Sequence, residues 1–227
     1  IGAQPAGVQV RNATITLYGS ASTPNCHGIR NAGYLAVQNS TIFSTGCPTA
    51  YGINNGSGSA ANLSGVHVSA SGTTNAYGIW TTGAVLSLYN SEIQASGGAT
   101  FDDALHLAGG SSFTVVGSTL TAVSGTGASV STGDSDGSVT GSLLLSSRAG
   151  AGNHWGVYTE DSAAAQVVVV ASSRIISTDY TVKNKVNTTL RIANSTMEGP
   201  LGTQNTGTLK CAGVVDANGA FFASSCP

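Results

Sequence analysis

The sequence predicts an all-β coiled solenoid, and three observations carry that expectation. A short motif recurs through nearly the whole chain at spacings of 22 to 29 residues. Inside each unit apolar residues alternate with polar ones, the period of two that a half-buried strand shows. Nowhere does an apolar stripe recur at the 3.6-residue period of a helix. One such unit cannot bury its own apolar side chains. Stacking units at the strand spacing of about 4.8 Å turns repeated positions into continuous buried ladders.

The unit is clearest between Ala76 and Gly97, where an aromatic residue precedes Gly-Ile, then come a Gly-bearing bend, a strand around Leu86 and Leu88, an Asn-Ser corner and a second strand around Ile93. Aligning on the corner sets Ala13, Ser40, Ser64, Ser91, Ser118, Ser147, Ser173 and Ser195 in one column. Two residues later the column reads Ile15, Ile42, Val66, Ile93, Leu120, Ala149, Ile175 and Met197. Three residues earlier it reads Val10, Val37, Ala61, Leu88, Val115, Leu144, Val170 and Ile192. Both columns are apolar throughout, so each is expected to form a core ladder. Eight rungs would make a rod roughly 40 Å long.

Taken in order, residues 1–7 are a Pro- and Gly-bearing lead-in, 8–209 the repeats and 210–227 a terminal cap. The open edge of the first rung exposes unpaired backbone, so an upstream segment or partner chain is expected to cover it. Cys26 and Cys47 stand slightly less than one rung apart, which suits a staple between adjacent coils. A further column, His27, Tyr51, Tyr77, Leu105, Ala128, Trp155 and Tyr180, is followed by a small residue and an aliphatic one in most rungs. Tyr51, Tyr77, Trp155 and Tyr180, with Trp80 beside Tyr77, are the candidate platform for stacking a sugar ring. Aromatics that only cover the edge of a ladder would give the same pattern. Sequons at Asn12, Asn39 and Asn194 coincide with corners, where the amide has a structural use without any glycan.

The cap carries Asn218-Gly219, a two-residue hairpin signal that would put Cys211 opposite Cys226. Val214, Val215, Phe221 and Phe222 would then cover the last rung. Two local cysteine pairs without metal-ligand spacing favour disulfides and an oxidising, secreted or cell-surface location. Charged residues make up only 8% of the chain, with 8 basic against 10 acidic, a balance that argues against nucleic acid or a polybasic membrane patch as partner. No apolar run approaches the roughly 20 residues that span a bilayer, so membrane insertion is not expected.

Columns of Asn-Ser-x-Ile corners between short alternating strands resemble the repeats of the pectin-lyase-like superfamily over about Val8 to Gly199. The resemblance implies a right-handed parallel β-helix. It leaves activity open, because that superfamily holds polysaccharide lyases and hydrolases beside tailspikes and non-catalytic adhesins. The Cys-bounded tail looks like the ends of secreted bacterial β-helix proteins.

Catalysis would need carboxylates converging from adjacent rungs. Asp102-Asp103 with His106 nearby finds no such partner when its neighbours are read as Thr74-Asn75 and Gly125-Thr126. The better cluster is Asp134, Asp136, Glu160 and Asp161, of which Asp134, Asp136 and Asp161 could also hold calcium. The expectation is therefore a structural or adhesive solenoid that contacts glycans or other copies of itself, with no cofactor. A carbohydrate-active enzyme using the four carboxylates is the alternative.

Overall fold

The computed structural model describes residues 7–147, 153–200, 205–223 and 226. The lead-in through residue 6, with Arg148 and Ala149, lies outside them. Among the described residues there is no helix, and so none long and apolar enough to cross a membrane. Three parallel sheets make up the fold. The first has nine strands, from Val8–Arg11 to Thr208–Ala212; the second has ten, running parallel from Thr14–Tyr18 to Val214–Asp216 and closing on the antiparallel Phe221–Phe222; the third has seven, from Asn25–Asn31 to Tyr180–Lys183. Each coil visits the three sheets in turn, giving about seven full coils rather than eight. The next turn supplies Thr188–Ala193 and Thr196–Glu198 but no third-sheet strand among the described residues. Nine strands in register span roughly 40 Å.

The interior consists of the predicted ladders with two rungs reset. Val10, Val37, Leu63, Leu88, Val115, Val139, Val170 and Ile192 pair in succession along the first sheet. Ile15, Ile42, Val68, Ile93, Leu120, Leu144, Ile175 and Met197 do so along the second. Ala61 and Leu144 therefore do not hold the places expected of them, and the corners of those rungs are Val66 and Ser142 rather than Ser64 and Ser147. The cause is backbone conformation. The residue before each corner sits at positive φ: Asn12, Asn39, Gly65, Asn90, Gly117, Gly141, Ser172, Asn194 and Gly213, with φ from 47° to 65°. Gly and Asn tolerate this left-handed region, which most side chains avoid.

A hydroxyl chain reinforces the corners. The N–H of Ser91 donates to Ser118 Oγ at 3.2 Å, that of Ser118 to Ser142 Oγ at 3.1 Å and that of Ser142 to Ser173 Oγ at 3.2 Å. Each serine in turn donates to the carbonyl two residues before it, as Ser118 does to Val116 at 3.0 Å.

Both disulfides are present. Cys26–Cys47 links the first two coils, with Cα atoms 5.9 Å apart, and Cys211–Cys226 closes the tail, with Cα atoms 5.0 Å apart. The terminal hairpin pairs Val214 with Phe222 and Val215 with Phe221, one step from the expected register. Its loop closes through Gly219 N–H to Asp216 C=O at 3.1 Å with Gly219 at φ 79°, a three-residue turn instead of two. Cys211 is not a hairpin residue. It lies in the first sheet beside Ile192, and the chain turns at Gly213 before the hairpin begins.

Candidate functional site

The third sheet bends where its interior has least room. Its Gly column, Gly28, Gly52, Gly78 and Gly156, faces β-branched side chains of the second sheet: a Cβ on Gly78 would lie 2.4 Å from Ile93 Cγ2, and one on Gly156 2.2 Å from Ile175 Cγ2. The small residue after each aromatic is thus required by the core, and the aliphatic residue that follows, Ile79 or Val157, turns inward. Because the chain bends there, the residues on either side of the Gly-aliphatic pair both point outward. One outward row runs His27, Tyr51, Tyr77, Asp103, Ala128, Trp155 and Tyr180; the other runs Arg30, Asn54, Trp80, His106, Ser131, Tyr158 and Lys183.

Asp103, not Leu105, stands beside Tyr77 in the first row, while Leu105 pairs with Ile79 inside the core. The aromatic rows are then interrupted at Asp103, Ala128 and Ser131. Below the break, Tyr77 and Trp80 meet edge to face at 4.6 Å, and Trp80 stacks on His106 at 3.9 Å. Above it, Trp155 and Tyr158 stack at 4.9 Å. Between them opens a cleft of about 300 Å³ that Phe101 and Glu160 also line. His106 and Tyr158 are two coils apart, so the break leaves roughly 10 Å along the rod. A single ring seated there would lie about 5 Å from each, within the range of ring contacts.

The cleft's polar groups are fixed. Asp103 is 6% exposed; its Oδ1 accepts the Ala128 N–H at 2.8 Å and its Oδ2 lies 2.8 Å from His106 Nδ1. The phenol of Tyr77 is held well above its ordinary range by burial first and then by the charge of Asp103. Tyr158 is shifted the same way by burial and Glu160. Behind them, fully buried Asp102 accepts the Gly98 N–H at 2.9 Å, and its carboxyl is pushed up to about 8 by burial.

Of the aromatic candidates, Tyr77, Trp80 and Trp155 line the cleft. Tyr51 and Tyr180 extend the row outside it, Tyr51 stacked on Tyr77 at 5.3 Å and Tyr180 at 6.5 Å from Trp155. Of the four carboxylates, only Glu160 reaches it. Asp134 and Asp136 instead cap backbone amides at the turn into the first sheet: Asp134 accepts from the Ser162 hydroxyl and from Ala163 N–H at 3.0 Å, and Asp136 from Val167 N–H at 2.5 Å. Asp134 is held below the usual carboxylate range by the Ser162 hydroxyl and then the Ala163 amide. Asp161 accepts from Val186 N–H at 3.2 Å and pairs with Lys185 at 3.4 Å. Among the described residues no group of three or more His, Cys, Asp or Glu side chains is placed to hold a metal ion.

The register expected for Asp102-Asp103 is corrected: their neighbours are Ala76 and Tyr77 rather than Thr74 and Asn75, Asp103 Oδ2 meets His106 of its own strand, and Asp103 lines the same cleft as Glu160 from two coils away. Phe101, Ser131 and Tyr158 are further cleft residues that the sequence reading passed over. For Ser131 and Tyr158 the available signal was the second row, which falls three positions after each entry of the first. The chain matches no family model, no curated protein and no solved structure.

Proposed function

We propose that this chain is an extracellular β-solenoid module that binds a glycan on the outer face of its third sheet, with one sugar ring seated in the cleft. The observation that carries this is the break in the aromatic rows, walled by Tyr77 and Trp80 on one side and Trp155 and Tyr158 on the other. Apolar faces of a pyranose pack well on such rings, and its hydroxyls can donate to Asp103 and Glu160, the mix of apolar walls and a few placed polar groups that small-ligand sites use. Two disulfides agree with an oxidising location. Titration calorimetry across a panel of oligosaccharides should find a binder, and Trp155→Ala should weaken it about tenfold or more, the effect of losing one aromatic anchor. An unchanged affinity in Trp155→Ala would remove the cleft from the interaction.

The hydrogen-bonded Asp103 and His106, with Glu160 across the same cleft, favour one second reading, a hydrolase or lyase that uses these three groups. Release of new chain ends from polysaccharide, abolished by Asp103→Asn, would establish it.

A further inference from the structure

We infer that the ring bound in the cleft is cationic, an amino sugar with a free ammonium, rather than a neutral or acidic one. This rests on the glycan reading and specifies its ligand class. Three observations lead to it. Among the described residues, the charged side chains lining the cleft, apart from the imidazole of His106, are the carboxylates Asp103 and Glu160, with no Lys or Arg. Each oxygen of Asp103 already has one partner, the Ala128 N–H or His106, whereas Glu160 has no hydrogen-bond or ion-pair partner among the described residues. Its carboxylate lies against Gly133, where a Cβ would come within 2.9 Å of Oε2. The upper wall, moreover, already holds an alkylammonium. Lys183 Nζ, from the next coil, lies 4.8 Å from the Trp155 ring centre and 5.3 Å from that of Tyr158. Both distances fall inside the roughly 6 Å over which an aromatic ring attracts a cation.

Electron-rich rings with an unpaired carboxylate attract a positive charge and repel a negative one. A neutral sugar would leave Glu160 partly desolvated with only a hydroxyl to satisfy it, while an ammonium offers both a charge-assisted hydrogen bond and a ring contact. A uronic acid would place its carboxylate against Glu160, like charge against like.

The test compares four probes by calorimetry on the intact chain: a β-1,4-linked glucosamine trimer, its fully N-acetylated counterpart, the corresponding neutral glucose trimer, and choline. Binding is measured below the amine's pKa and repeated above it. The glucosamine trimer should bind at least about tenfold tighter than either neutral trimer, and the preference should vanish when the amine is uncharged. Glu160→Gln should remove the preference, bringing the affinity of the glucosamine trimer to within about twofold of the neutral trimers measured on the same variant. Equal or tighter binding of a neutral trimer overturns the cationic ligand and leaves the glycan reading standing. Choline binding without any trimer supports the cation and overturns the glycan. Failure of all four overturns both.

Discussion

Asp102 is a carboxyl group inside a coil, where its neighbour toward the N-terminal end of the rod is Ala76 and its Oδ2 has no hydrogen-bond partner. Burial drives it from 3.8 to about 8, one Gly98 N–H opposes that shift, and the charge of Asp103 adds to it. At neutral pH the folded chain therefore keeps a proton there that the unfolded chain has released. The sign follows: the group's contribution to stability is fully present below about pH 4 and is lost as pH rises through about 8. Within that window it should remove on the order of 1 kcal/mol of unfolding free energy per pH unit. Asp102→Asn, which is neutral at every pH, should flatten this slope in urea melts run across the window; a slope equal to that of the parent protein would show that the carboxyl is ionised in the fold. The Asp102-Asp103 pair was visible in the sequence, but its setting was not. Placing Leu105 in the aromatic column shifted that rung by two residues, and the shift took Asp103 away from Tyr77 and His106 away from Trp80.

At the level of the corner, the repeat is defined by a backbone conformation more than by a residue type. Asn12, Asn39, Asn90 and Asn194 made four corners legible because Asn both accepts the left-handed region and stands out in sequence. Gly65 and Gly141 satisfy the same requirement in a chain that has 31 glycines, so they gave no comparable signal. The run Leu143–Ser147 then allowed a slip, since Leu144 suits either ladder by hydrophobicity alone. What decides the register there is Ser142, whose Oγ receives the Ser118 N–H and donates to Thr140 C=O at 2.9 Å. The chain of hydroxyls is open to test at Ser118. Ser118→Ala leaves the buried Ser91 N–H and the Val116 carbonyl without that partner while adding no bulk, and should cost about 1–3 kcal/mol by equilibrium denaturation. A change within a few tenths would mean that the stacked strands alone hold the corner and the hydroxyls are incidental.

Over the whole rod, each coil touches only its neighbours, so stability is close to a sum of coil and interface contributions and local damage should stay local. The ends are the weak places. In the first coil Val8 is 63% exposed and the inward Val10 and Ile15 are only partly buried, while the inward residues of the third to seventh coils are sealed on both sides. The two disulfides sit at these ends: Cys26–Cys47 ties the first coil to the second, and Cys211–Cys226 ties the last first-sheet strand to the tail. Gly19 shows how closely the first is packed, since a Cβ there would fall within 2.2 Å of both sulfur atoms. Replacing all four cysteines with alanine should therefore accelerate amide exchange in Val8–Asn31 and Thr208–Ala212. Strands of the central coils, Leu86 and Leu88 among them, should keep the protection of the parent protein. The cleft belongs to coils three to six, so ligand affinity should survive the same replacement. Loss of protection spread evenly along the chain would instead make the rod one cooperative unit, and the position of the disulfides would then have no bearing on where it opens.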